Sequence, residues 1–163
     1  MSTTPRSPRS GVDAAVAVAL IAIPWATALV KFIAPGWMLL FYLFGLVVFI
    51  PLYVLVIVIG ISGFVGSRPA FLWAGAGRIR ARIAGFLHPL AFLAATAFLE
   101  DGGDSGDSQS PVEVIFWLDL PAELSGAISY GFVMLSLGAL IWLVVEWIVA
   151  LVKRGRAGTT LTG

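Results

Sequence analysis

The sequence predicts an all-α integral membrane protein, a bundle of four transmembrane helices with a short interfacial amphipathic segment before the last. Three observations predict it. Of 163 residues, 60% are hydrophobic and 12% are charged, against about 45–50% and about 25% in soluble domains. Four apolar runs are separated by polar or Gly/Pro-containing segments. The charges are sorted by segment: seven of the nine acids fall between Glu100 and Glu123, whereas the ten cations lie elsewhere.

Residues 1–12 are rich in Ser, Thr and Pro, carry Arg6 and Arg9, and read as a disordered basic tail. The first span is expected over about residues 13–34, with Pro24 near its middle and Lys31 reaching toward the far interface. A rival reading takes residues 1–28 as a cleaved signal peptide, with Ala26-Thr27-Ala28 at the cleavage site. Bulky Trp25 and apolar residues continuing through Val30 argue against it.

Ala34-Pro35-Gly36 is a turn, so the first two spans should form an antiparallel hairpin. The second span is expected over about 37–61, with Trp37 and Tyr42 at an interface and Pro51 inside. Residues 62–82 mix Gly, Pro and aromatics with four arginines and read as a lipid-facing loop. Within that loop Phe71, Leu72 and Trp73 are expected to lie in the interface. The third span, about 83–99, is short and is interrupted by His88-Pro89.

Glu100–Ser110 is acidic, Gly/Ser-rich and of low complexity, the pattern of a solvated linker. Its Asp101, Asp104 and Asp107 fall three apart, which does not match an EF-hand loop. Ser110-Pro111-Val112-Glu113 is a capping box with Pro at the first helical position. The short amphipathic segment after it places Phe116 and Trp117 toward lipid. The last span, about 121–152, carries Glu146 near its basic end, and residues 155–163 form a flexible tail after the transmembrane domain of 13–154.

Lys and Arg gather in short cytoplasmic segments. The tail, the 62–82 loop and the Lys153, Arg154 and Arg156 end share one side only if the chain crosses four times. Both termini are then cytoplasmic in a bacterial plasma membrane, the bacterial assignment resting on an Arg-, Ala- and Gly-rich composition.

Counted inward from the expected span ends, Glu146 and His88 lie at similar depth, about 7–9 Å from the cytoplasmic side. They form a candidate intramembrane polar pair that locks two helices, serves a proton relay, or is replaced by a Glu146 contact to a neighbouring subunit. Arg68, Arg78, Arg80, Arg82, Lys153 and Arg154 are candidate contacts to lipid headgroups. Small residues four apart, Ser125/Ser129, Ala127/Gly131, Ala15/Ala19 and Ala91/Ala95, permit close helix approach.

The sequence contains no cysteine and one histidine, which excludes disulfides, thiolate metal sites and a bis-histidine haem within the chain. Gly75-Ala76-Gly77 follows no predicted strand and is not a nucleotide fingerprint. No catalytic set, metal site or cofactor site is expected, and no binding of nucleic acid. The function expected is a non-enzymatic accessory or scaffolding subunit of a larger membrane complex, its partners being lipids, other membrane subunits or further copies of itself. The alternative is a small oligomeric transporter or proton conductor using Glu146 and His88.

Overall fold

The computed structural model describes residues 10–34, 36, 44–100 and 109–159. Residues 1–9, 35, 37–43, 101–108 and 160–163 lie outside the described residues, as do the readings placed on them, those on Pro35, Trp37 and Tyr42 included. The described elements are all helical: α1 (Gly11–Lys31), α2 (Leu46–Ile59), α3 (Gly77–Phe98), α4 (Pro111–Phe116) and α5 (Ala122–Thr159). Four helices are long and apolar enough to cross a membrane: Gly11–Lys31, Val47–Val65, Gly77–Phe98 and Ala122–Ala157.

Side-chain bonds set the directions. Tyr53 Oη on α2 donates to the carbonyl of Ile21 on α1 at 2.8 Å and accepts from Trp25 Nε1 at 2.6 Å. Farther along, Gly60 lies against Ala17, so α1 and α2 are antiparallel. Asp13 meets Arg78 and Arg82, while Lys31 meets Leu99, which makes α1 and α3 parallel. Ser129 Oγ donates to the carbonyl of Ala95 at 2.8 Å, and Arg80 reaches Glu146, so α5 runs back along α3. The four long helices therefore alternate in direction along the sequence, as four successive crossings would require.

The α3–α5 seam is built from small residues. Ser125, Ser129, Ser136, Ala139, Leu143, Glu146 and Ala150 follow one stripe of α5 and are all buried. Ala91 and Ala95 of α3 are buried opposite Ser129. Of the small pairs anticipated, these two lie in the seam, whereas Ala127 and Gly131 are exposed. Serine hydroxyls there donate to α3 carbonyls, Ser125 to Phe98 and Ser129 to Ala95. Such bonds supply the attraction that apolar contact lacks in a lipid solvent.

The loop expected over 62–82 is folded. α2 continues into a wide π-helical turn, Gly60–Val65, and a 3₁₀ turn follows at Ala70–Trp73. Phe71 is buried rather than interfacial: its ring lies over Gly63, where a Cβ would come within 2.5 Å, and 4.6 Å from the Phe64 ring centroid. Burying two phenylalanines offsets the ordering of a Gly-rich segment. The third long helix is correspondingly longer than the expected span, because it begins at Gly77 rather than near Ile83.

At the far end, the Lys31 ammonium folds back into the bundle rather than reaching outward. It is fully buried and donates to the carbonyl of Leu99 at 2.9 Å. The last carbonyls of a helix lack intrahelical donors and carry partial negative charge, which favours a cation there.

The Ser110 capping box forms as its spacing predicts, with the Ser110 amide donating to Glu113 Oε2 at 2.6 Å. Glu113 Oε1 also accepts from the Leu120 amide at 3.1 Å, which folds the chain after α4 back on itself. Burial pushes the Glu113 pKa up, but hydrogen bonds from Ser110 and from the Ser110 and Leu120 amides outweigh it and hold the carboxyl below its ordinary value. The stabilisation is thus present above the unfolded pKa, about 4.3, and lost as pH falls through the lower folded value. Hydrogen exchange should show the Ser110 and Leu120 amides losing protection on acidification. Glu113→Gln should remove most of that pH dependence; an unchanged acid profile in the variant would contradict the assignment.

Candidate functional site

Arg78, Arg80 and Arg82 occupy the first turns of α3. At about 100° per residue, Arg78 and Arg82 share one helix face and Arg80 lies nearly opposite. The alternation sends the three guanidinium groups to two different neighbours. Arg78 and Arg82 turn to α1 and Arg80 turns to α5.

On the α1 side, Asp13 receives both arginines. Arg78 pairs through Nη2 with Asp13 Oδ2, and Arg82 Nε donates to Oδ1 at 2.8 Å. Arg82 Nη2 also donates to Ser10 Oγ at 2.6 Å. The Ser10 amide donates to Asp13 Oδ2 at 3.3 Å, closing the start of α1. Asp13 is 2% exposed and Arg78 8%, so this pair is largely withdrawn from water.

On the α5 side, Glu146 accepts from Arg80 Nε at 2.6 Å and Nη2 at 3.3 Å, the bidentate geometry a guanidinium favours. Trp142 Nε1, one turn earlier on α5, donates to the same carboxylate at 3.3 Å. Gly77 makes the fit possible: a Cβ there would lie 2.8 Å from Glu146 Oε2. The Glu146 carboxylate is enclosed, whereas the Arg80 side chain is half exposed. Beside it, Trp147 Nε1 donates to Ser62 Oγ at 2.9 Å and ties α5 to the π-helical turn.

The structure does not bring Glu146 and His88 together. His88 Nδ1 lies 2.9 Å from Ser136 Oγ and 3.2 Å from the Ser136 carbonyl. Ser136 and Glu146 are separated by about 15 Å of rise along α5, at 1.5 Å per residue. The expected pairing counted depth from Ile83 and Val152, but α3 begins at Gly77 and α5 continues to Thr159. Pairing Ser129 with Ala95 and Ser136 with His88 fixes a register in which the start of α3 stands opposite Glu146.

The headgroup assignments divide the same way. Arg78 is buried against Asp13, and Arg82 and Arg80 are engaged in ion pairs, so their first partners are carboxylates of the bundle. Arg68 and Lys153 are exposed, and Arg154 Nη1 donates to the Arg68 carbonyl at 2.9 Å.

No known protein family, curated protein or solved structure matches this chain. Its chemistry is therefore read from its own geometry. Among the described residues, no group of three or more His, Cys, Asp or Glu is placed to hold a metal ion. The site is a clamp of two carboxylates and three guanidinium groups that joins α1, α3 and α5 at one end of the bundle. The level of Asp13 and the level of Lys31 are about 27 Å apart along α1 at 1.5 Å per residue, close to a hydrocarbon core of about 30 Å.

Asp13 is the functional residue the sequence reading missed. Its signals were present: Ser10-x-x-Asp13 has capping-box spacing, and Arg78-x-x-x-Arg82 is one face of any helix that starts before Ile83.

Proposed function

We propose that this chain is a multi-pass membrane protein acting as a non-enzymatic accessory or scaffolding subunit of a larger membrane complex. In this reading both termini face the cytoplasm of a bacterial plasma membrane, on the side where the arginines gather. The observation that carries it is the commitment of the two enclosed acids at the basic end of the bundle, Asp13 and Glu146, to arginines of α3. Carboxylates held this way tie helices together, and neither is placed to exchange a proton with His88. Outward faces are apolar over the length of the bundle, with Trp25, Leu29, Val47, Tyr130 and Met134 more than 60% exposed. In a bilayer those faces meet acyl chains or the helices of partner subunits.

The separation of the charged levels supports the membrane location, because the clamp and Lys31 then sit near the two interfaces, where charge is tolerated. The position of Glu146 disfavours the proton-conducting alternative, since a relay from the clamp to His88 would have to bridge about 15 Å of rise along α5. Glu146→Gln tests the choice. It keeps one acceptor for Arg80 and Trp142, so assembly should survive, and reconstituted vesicles should show no proton flux attributable to the wild type and lost in the variant. Such a loss would replace the scaffold reading with the transport one. Native mass analysis after gentle detergent extraction should find other polypeptides bound; a lone monomer would overturn the subunit assignment.

A further inference from the structure

The basic end of the bundle carries more positive charge than the clamp uses. Seven described cations gather there, Arg68, Arg78, Arg80, Arg82, Lys153, Arg154 and Arg156, against two carboxylates, Asp13 and Glu146. The carboxylates take Arg78, Arg80 and Arg82. Arg68, Lys153 and Arg154 form no ion pair with a described carboxylate. They come from distant parts of the chain, the turn after α2 and the end of α5, and the Arg154 bond to the Arg68 carbonyl holds those parts together. Like charges gathered without a carboxylate repel, and an anion seated among them relieves that repulsion.

We propose that Arg68, Lys153 and Arg154 hold the phosphate headgroup of an anionic phospholipid. Two guanidinium groups and an ammonium supply the positive charge and the N–H donors that an anionic phosphate diester accepts. Exposed apolar residues lie nearby: Ile148, Val149 and Val152 stand beside Lys153 on α5, and Val65 is exposed at the end of the π-helical turn. Trp73, also partly exposed, adds an amphipathic ring of the type that settles at headgroup level. A soluble phosphate would use the cations and leave these apolar residues unused; a lipid uses both. The bound lipid would bridge the end of α5 to the turn after α2, outside the clamp. The inference rests on the proposed membrane location.

The test is native mass spectrometry of the full chain in detergent, offered equimolar phosphatidylglycerol and phosphatidylcholine, with inorganic phosphate as a separate competitor. The wild type should retain phosphatidylglycerol preferentially. Each basic side chain near an anionic surface contributes about fivefold in binding, so R68Q/K153Q/R154Q should retain on the order of a hundredfold less. If the triple variant does not fold, Lys153→Gln, at an exposed position, should still show about a fivefold loss. Equal retention of the two lipids, undiminished retention in the variants, or displacement by millimolar inorganic phosphate would each overturn the proposal. Alkaline carbonate extraction of the wild type from membranes separates the two failures. Release by carbonate would reject the membrane reading itself, whereas a firmly embedded protein indifferent to phosphatidylglycerol would reject only the lipid site.

Discussion

Asp13→Ala should destabilise the bundle by about 3–5 kcal/mol, the typical cost of removing one partner of a buried ion pair. Arg78 is 8% exposed and would be left charged at the α1–α3 contact without its carboxylate. It has little freedom to turn outward, since it starts a helix whose opposite face is pinned by Arg80 to Glu146. Arg82 loses the same partner but is more accessible, so water compensates it better. The diagnostic experiment is the combination D13A/R78M. Removing both charges replaces a buried cation that has lost its Asp13 carboxylate by apolar packing, so thermal unfolding in detergent should return most of the way to wild type. A double variant as unstable as the sum of its single changes would show that Asp13 acts through something other than Arg78. Glu146→Gln should be much milder, because its partner is already half in solvent.

The second large effect is expected at Gly85. A Cβ there would lie 2.5 Å from Val16 Cγ1 and 3.7 Å from Phe64 Cζ, at the place where α1, α3 and the π-helical turn converge. Val16 is fully buried, and a β-branched residue in a helix has one strongly preferred rotamer, so its methyl cannot swing aside. Gly85→Ala should therefore cost about 1–3 kcal/mol by overpacking. The gain in helix propensity, about 1 kcal/mol, offsets only part of that. V16A/G85A should be less unstable than the two single changes added together, since the truncated side chain makes room for the new methyl. Strict additivity in unfolding measurements would show that the close approach of α1 and α3 does not pass through this pair.

Much of the architecture was legible because the signals were large and local. Four apolar runs give the four long helices, and Ser110-Pro111-Val112-Glu113 gives the start of α4 with its reciprocal hydrogen bonds. The segment from Ser62 to Arg82 was not legible in the same way. Gly, Pro and Arg there suggest a loop to any local rule. Its order comes instead from Phe71 packing on Gly63 and Phe64, and from two carboxylates more than sixty residues away along the chain, Asp13 and Glu146. Arginine in the first turn of a helix is disfavoured by the helix dipole. Acids on two neighbouring helices reverse that preference, and no local window contains them. The depth of Glu146 failed for a related reason. Depth counted from the ends of an apolar run assumes that the run and the helix coincide, and here α3 begins six residues before the run and α5 passes seven beyond it.

The central claim is a chain that crosses four times, with the arginine–carboxylate clamp near one interface and the Lys31 level near the other. The absence of cysteine makes single-cysteine labelling clean. Gly155→Cys has open space around the new side chain, Leu118→Cys lies after α4 at the opposite end, and Leu137→Cys sits on the outward face of α5 between the two levels. With a membrane-impermeant maleimide, Gly155→Cys should react from one face of the membrane only, Leu118→Cys only from the other, and Leu137→Cys from neither. Labelling of Gly155→Cys and Leu118→Cys from the same face, or of Leu137→Cys as readily as the other two, would contradict the four-crossing account.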